Sequence, residues 1–328
     1  MFESWRGIVG DIKPTHRPGS LEEFIRLLPE GIGVIPLTVG IRSGTEKEFH
    51  EVLEEYKAKA AELAGLGVNL IHIGGAPPMM VHGFAGEHKI VTDMEAKHNI
   101  PVSTSGRSQM EAMRALGIKR FVGVTYFKEN MNQIFTRYFT EAGFEVAAME
   151  GIDVAFKDVG RLSGEEIYAH TKKAFLKHPD AQAIYILGTG WRLLKIVRLL
   201  EQDLQVPVIY ALACKLWDVQ KQFHVREPVK GYGRLLEELR SIGKFRASGS
   251  VRPANKKNPS LNLPDRSGHF CATGMLKVCW YSVIQVWIRS LTFVSGGAGY
   301  LILSRLILGK RGLTPAWELR KPSSVNRF

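Results

Sequence analysis

Two glycine-rich turns stand out as places where this chain could do chemistry. Gly74-Gly75-Ala76 follows the apolar run Asn69–Ile73, and Gly188-Thr189-Gly190 follows Ala183–Leu187. Backbone N–H groups of such turns, placed at helix N-termini, are unpaired donors. They can hold an anionic group. Thr104, Tyr126 and Thr189 are side-chain donors that could join them. For proton transfer the candidates are His82 and Glu87. Both lie in Met80-Val-His-Gly-Phe-Ala-Gly-Glu-His, whose glycines read as a mobile loop able to cover a cleft. His16 follows the first strand and titrates in the right range. His72 lies inside a strand and reads as packed. Arg17, Arg42 and Arg192 could pair with an anionic group of a ligand. Cys214 follows Tyr210-Ala-Leu-Ala, not a glycine turn, and reads as a buried small hydrophobe.

These groups need elements to position them, and the pattern of the chain supplies them. Arg6–Ile12, Gly33–Thr38, Asn69–Ile73 and Pro101–Ser103 read as strands. Between them Glu46–Leu66 reads as one long helix, with apolar residues spaced by three and four, and Ser108–Leu116 as a shorter one. The order then repeats. Strands are expected at Arg120–Thr125, Glu145–Met149, Ala183–Leu187 and Val206–Tyr210. Helices are expected at Glu129–Ala142, Ser163–Lys177 and Trp191–Leu200, the second opened by the capping pattern Ser163-Gly-Glu-Glu. Apolar strands alternating with helices indicate parallel sheets covered on both faces. The expected fold is therefore α/β: two pseudo-symmetric, flavodoxin-like parallel-sheet half-domains with a cleft between them. The first half-domain is residues 1–112 plus 211–245, and the second is residues 113–210. Ligands of open α/β sheets bind beyond the carboxyl ends of the strands. Two facing glycine turns would make one such site.

The order of the motifs resembles the Asp/Glu racemase superfamily, in its branch of arylmalonate decarboxylases and maleate cis-trans isomerases. The residues that carry the resemblance are Ile12-Lys-Pro-Thr, Gly74-Gly-Ala-Pro-Pro, Ser103-Thr-Ser, Thr125-Tyr126 and Gly188-Thr-Gly-Trp-Arg, with Gly231-Tyr-Gly-Arg-Leu-Leu matching the family's terminal helix. It covers roughly residues 5–243. It implies a cofactor-independent lyase or isomerase (decarboxylase, cis-trans isomerase or racemase) acting on a small carboxylic acid through a carbanion or enediolate. It implies no metal and no organic cofactor. The substrate-binding set it implies is Pro14, Gly74, Gly75, Ala76, Thr104, Tyr126, Gly188, Thr189 and Gly190. In the family the proton donor or nucleophile is a cysteine of one or both halves. The matching positions here are Gly74 and Gly188. That leaves the catalytic group unknown, with His82, Glu87 and Tyr126 as candidates. It also leaves open a second reading, a non-catalytic descendant that binds a small carboxylate.

Charge separates the chain into two unlike parts. Residues 246–328 contain 13 Lys and Arg against 2 Asp and Glu, whereas the preceding 245 residues are close to neutral. The net charge of +12 therefore belongs almost wholly to the C-terminal segment. A near-neutral body argues against a specific nucleic-acid binder. The segment 246–328 lacks periodicity. Three readings of it stay open: a disordered or read-through extension, a contact with membrane surface or a partner, and a small packed appendage. The three cysteines, Cys214, Cys271 and Cys279, form no ligand or disulfide pattern. With no signal-like N-terminus, a cytoplasmic location is expected.

Overall fold

In the computed structural model, residues 4–17, 19–188 and 190–239 are described. Thr189 and the basic segment 246–328, with the expectations attached to them, lie outside these residues. The described chain forms two four-stranded sheets, each parallel throughout. The first contains β1 (Gly7–Lys13), β2 (Ile32–Thr38), β3 (Leu70–Ile73) and β4 (Val102–Thr104), in the order β2-β1-β3-β4. The second contains β5 (Arg120–Thr125), β6 (Glu145–Gly151), β7 (Ile184–Ile186) and β8 (Val208–Tyr210), in the order β6-β5-β7-β8. The expected α/β architecture of two parallel-sheet halves is what the chain adopts.

The helices that cross between these strands begin with α1 (Gly19–Leu27), α2 (Glu46–Glu51) and α3 (Leu53–Gly65). There follow α4 (Pro77–Met80), α5 (Gly83–His98) and α6 (Ser105–Ala115). In the second half stand α7 (Glu129–Glu141), α8 (Gly164–Leu176) and α9 (Leu194–Leu204), with a 3-10 turn at Phe156–Arg161. After β8 the chain forms α10 (Ala211–Gln222), which packs against α6 and α1, and the short α11 (Arg234–Glu237).

Matching side chains fasten the two halves in the same way. The Asn69 carbonyl oxygen accepts from the Ile8 N–H at 2.8 Å, and the Gln182 carbonyl oxygen accepts from the Arg120 N–H at 3.1 Å. Glu95 accepts from the Val102 N–H at 3.0 Å, and Glu201 from the Val208 N–H at 2.9 Å. Each bond satisfies a strand N–H at or beside a strand's first residue, a group that would otherwise be left without a partner on burial. Asn99 and Gln205 end α5 and α9 in the left-handed conformation, with φ of 53° and 57°.

Three sequence expectations need correction. The long helix over 46–66 is broken: Thr45 caps α2, whose backbone ends at Val52, and α3 starts afresh at Leu53. The expected loop around His82 and Glu87 is helical. Pro77 and Pro78 start α4 with a preset φ, and α5 continues with Glu87, Val91 and Met94 buried at helical spacing. The polar Glu87 at the inward position hid this period. Helix α10 was not expected at all. It is buried almost all round, from Ala211 to Gln220, and so carries no amphipathic stripe.

Candidate functional site

The carboxyl ends of the inner strands bring Pro14, Gly75 and Gly188 to one place, where they border two cavities. The cavities measure about 50 and 30 Å³. Each exceeds the roughly 10–15 Å³ that one water needs. Gly75 and Gly188 have φ of 84° and 110°, in the region that favours glycine. Both turns lie tight against a neighbour. A Cβ on Gly188 would come within 2.4 Å of the Tyr126 ring, and one on Gly75 within 2.8 Å of Pro14. The N–H groups of Gly75 and Gly188 have no partner among the described residues. The Gly74 N–H is different: it is spent on the Ile12 carbonyl at 2.8 Å as a continuation of the sheet.

The smaller cavity is aromatic, with one cation. Tyr126 stands in its wall, its ring centroid 5.0 Å from that of Trp191 and 4.7 Å from that of Phe127. Arg17 donates through Nη2 to the Phe156 carbonyl at 2.7 Å, and its guanidinium lies over the Phe156 ring. A Cβ on Gly190 would sit 2.9 Å from Arg17 Nη1. The guanidinium is thus held against the second glycine turn.

The larger cavity contains buried charge. Asp11, His72 and Ser103 are neighbours across β1, β3 and β4 in register, and all three are buried. Helix α10 lays a matching edge over this row. Its Lys215 Nζ meets Asp11 Oδ2 at 2.9 Å, and Asp218, one turn on, accepts from Ser103. Lys215 also lies 3.7 Å above the Phe24 ring centroid, a cation–π contact. Between these two pairs, His72 Nε2 is 3.3 Å from Ser105 Oγ. Burial pushes the His72 pKa down to about 3, with Lys215 adding to the effect and Asp11 opposing it, so the ring is neutral. Asp11 Oδ1 and His72 Nδ1 are left without partners among the described residues. Two residues beyond Asp11 on the same strand face, Lys13 lines the cavity and donates to the Arg17 carbonyl at 2.6 Å. Burial lowers its pKa; Asp11 acts against this and Lys215 with it.

Of the residues expected from sequence, Pro14, Gly74, Gly75, Tyr126, Gly188 and Gly190 line one or both cavities. Arg17 does as well. Ala76 is buried beneath the first turn, outside both cavities. Thr104 caps α6 through the Arg107 N–H and donates to Glu87. Glu87 also accepts from Tyr138, so the structure places this carboxyl in a closed buried cluster, away from both cavities. Burial raises its pKa. His82 stacks edge-on against His50 at 4.8 Å, also away from the cavities. His16, Arg42 and Arg192 are exposed. The expected helix dipoles are weak: α4 is a single turn, and α9 starts only at Leu194. Cys214 is buried in α10, where loss of hydration pushes its thiol pKa up. Asp11, Lys13, Ser105 and Lys215 were not found from sequence. The available signal was the alternation of Asp11 and Lys13 within a strand otherwise apolar enough to be buried, since a buried charge is informative where a buried Val is not.

Among the described residues, no group of three or more His, Cys, Asp or Glu is placed to hold a metal ion, and no helix is long and apolar enough to cross a membrane.

The model of the arylmalonate decarboxylase family matches residues 21–236 of the chain. An arylmalonate decarboxylase from Bordetella bronchiseptica is 22% identical over 215 residues, covering 65% of this chain and 89% of that protein. Among solved structures, the maleate isomerase Iso from Pseudomonas putida S16 aligns with a TM-score of 0.65 at 19% identity, over 71% of this chain and 99% of its own. The maleate cis-trans isomerase of Nocardia farcinica, a cysteine-to-serine variant with a covalently bound succinylcysteine intermediate, aligns with a TM-score of 0.65 at 20% identity, over 71% and 98%. At these identities the solved structures establish a shared fold.

Proposed function

Because the chain belongs to the arylmalonate decarboxylase family, we propose that it is a lyase or isomerase acting on a small carboxylic acid, with the protein's own groups supplying the chemistry. The observation that carries this reading is the meeting of Gly75 and Gly188, each with an unpartnered N–H, on a cleft that also holds Arg17 and Lys13. A substrate carboxylate would take the glycine N–H groups and the Arg17 guanidinium. Bond breaking next to that carboxylate would leave a carbanion, delocalised onto the same carboxylate as an enediolate. Donors fixed before reaction stabilise such charge without reorganising. Leu193, Leu194 and Leu212 form an apolar wall that would disfavour a second, departing carboxylate. Of the proton donors expected from sequence, Tyr126 alone lines a cavity, so it is retained as a candidate.

The second reading, a carboxylate-binding descendant without turnover, is favoured by one observation. Neither turn has room for the family's cysteine. A Cβ on Gly74 would lie 2.7 Å from the Ile12 carbonyl oxygen, and one on Gly188 would enter the Tyr126 ring.

Titration calorimetry with maleate and a substituted malonate, followed by NMR of the same mixtures, tests both readings. Binding with loss or conversion of substrate supports the enzyme, and binding with unchanged spectra supports the descendant. Gly188→Leu is expected to weaken binding at least about a hundredfold by pushing Tyr126 into the cleft, the scale of a ~2.7 kcal/mol loss. Unchanged affinity in a folded Gly188→Leu protein would place the site elsewhere.

A further inference from the structure

The larger cavity holds two lysines in different situations. Lys215 is answered twice, by Asp11 at 2.9 Å and by the Phe24 ring. Lys13 has no carboxylate within ion-pair distance among the described residues, and its one hydrogen bond there is to the Arg17 carbonyl. Yet Lys13 is buried, 7% exposed, and lines the same cavity as Lys215. Desolvation weakens the hold of that amine on its proton; Asp11 on the same strand opposes this and Lys215 adds to it. This is the general recipe for an amine nucleophile toward carbonyl carbon. The surroundings fit a carbonyl acid. Pro14, Gly75 and Gly188 border both cavities, so a carboxylate held on the Arg17 side lies next to groups on the Lys13 side.

We propose that Lys13 is a catalytic amine that forms a Schiff base with the ketone of a small 3-oxo acid and decarboxylates it. The proposal rests on the carboxylate-binding reading given above, with one difference: the carboxylate bound on the Arg17 side is here the group that leaves, and the iminium rather than a retained carboxylate takes the electron pair. In the step, Lys13 nitrogen bonds to the ketone carbon. The carbonyl oxygen leaves as water, carrying two of the three ammonium protons, and the product is a protonated imine. The bond from C2 to the carboxylate then breaks. Its electron pair moves into a C2–C3 double bond, the iminium nitrogen becomes a neutral enamine, and carbon dioxide departs. Water protonates C2, which regenerates the iminium, and the hydroxide left behind combines with the carbon dioxide to give bicarbonate. A second water hydrolyses the iminium to release the ketone and restore the Lys13 ammonium. The overall change is 3-oxo acid anion plus water to ketone plus bicarbonate, with no oxidant, reductant or added cofactor. The positively charged imine serves as the electron sink. That role explains how a family site with no room for cysteine at either glycine turn could still break a carbon–carboxylate bond. Lys215 and Asp11 act here as positioning residues: their ion pair fixes the wall of the cavity that Lys13 also lines.

The test uses the full-length protein with acetoacetate as the probe and 3-hydroxybutanoate, which has no ketone, as its control. Borohydride is added to reduce any imine to a stable secondary amine, and the modified lysine is located by peptide mass mapping. The expected result is an adduct on Lys13 at least about tenfold above any other lysine, as a depressed, enclosed amine should give. Lys13→Arg should remove the adduct while keeping a positive charge, and calorimetry should still detect 3-hydroxybutanoate on that variant. Because the mapping is done on the unsubstituted protein, the test holds even if a variant folds poorly. Binding of 3-hydroxybutanoate without a Lys13 adduct, or with labelling spread evenly over surface lysines, overturns the Schiff-base proposal and leaves the carboxylate site standing. No binding of either acid overturns both.

Discussion

The two sheets share strand order, direction and fasteners, yet only one of them buries charge. Their registers align through the bonds from the Gly74 N–H to the Ile12 carbonyl and from the Leu187 N–H to the Val124 carbonyl. On that alignment Asp11, His72 and Ser103 of the first sheet correspond to Gly123, Tyr185 and Ile209 of the second. Lys13 corresponds to Thr125, whose hydroxyl is spent on Asn132 and on the Phe127 N–H. Pro14 corresponds to Tyr126, and Gly75 to Gly188, both glycines with positive φ and a tight approach to the neighbouring strand end. Read from sequence, Gly74 was the partner of Gly188; the sheet register moves the match by one residue. The repeated scaffold thus fixes the shape of the cleft from both sides, while its ionisable chemistry is one-sided. A fold can keep its internal symmetry in backbone and fasteners and lose it in the residues that carry charge.

The contrast is sharpest in stability. Asp11→Leu should cost about 3–5 kcal/mol, because it strands the largely buried ammonium of Lys215 without its carboxylate. Adding Lys215→Met should recover most of that loss, since an apolar pair of similar volume needs no compensation. At the corresponding place in the second sheet, Tyr185→Phe removes one hydrogen bond, to Gln109 at 2.8 Å, and should cost about 1–3 kcal/mol for the group left unmet. Urea unfolding of the four proteins checks the ranking. Equal losses for Asp11→Leu and Tyr185→Phe, or no recovery in the double variant, would erase the distinction between the halves.

A weaker effect should appear in the pH dependence. In the folded protein His72 titrates at about 3, whereas the ordinary value is 6.5. Between those values the unfolded chain takes up a proton that the native chain refuses. Stability should therefore fall on acidification through this window, with a slope approaching about 1.4 kcal/mol per pH unit, and show no contribution from His72 above it. Glu87 and Asp218 act in the opposite sense. Burial raises both, so their contribution is present at low pH and is lost as pH rises through their folded values. The difference between the native chain and His72→Gln isolates the histidine. A difference that stays flat from pH 6.5 to 3 would show that the ring is reachable by protons in the folded state.

The sequence made the scaffold legible and the charges illegible, for physical reasons. Strand and helix order followed from period and punctuation: β5 begins and ends where expected, and α8 carries the expected capping box at Ser163. Of the expected binding set, Pro14, Gly74, Gly75, Tyr126, Gly188 and Gly190 line the cavities among the described residues, because glycine after a buried strand marks the strand's carboxyl end, where the cavities lie. What failed was the reading of polar residues. Glu87 and His82 looked like loop chemistry because nothing local shows that a carboxyl has been folded inward to meet Thr104 and Tyr138. Asp11 and Lys215 are 204 positions apart, and only α10 closing over the first sheet joins them. The return of residues 211–245 to the first half-domain was expected, but a helix buried on nearly every side offers no stripe by which to anticipate that it is a helix or that Lys215 faces Asp11.

The smallest expected effect concerns sulfur, and it bears on the same asymmetry. If the chemistry of this site lies in the charged row of the first sheet, thiol reagents should leave it alone. Cys214 is the free cysteine among the described residues, it is fully buried in α10, and burial raises its pKa, so little thiolate forms near neutral pH. Alkylation also requires access, which for a side chain under α10 means local opening. Iodoacetamide at pH 7.5 should therefore label Cys214 at least about a hundredfold more slowly in the folded protein than in urea, and carboxylate binding should survive the treatment. Peptide mapping follows Cys214 separately from Cys271 and Cys279, so labelling of those two does not blur the result. Rapid labelling of Cys214, slowed by maleate and accompanied by loss of binding, would bring a thiol back into the cleft. The division of labour between a shaping half and a charged half would then have to be redrawn around α10.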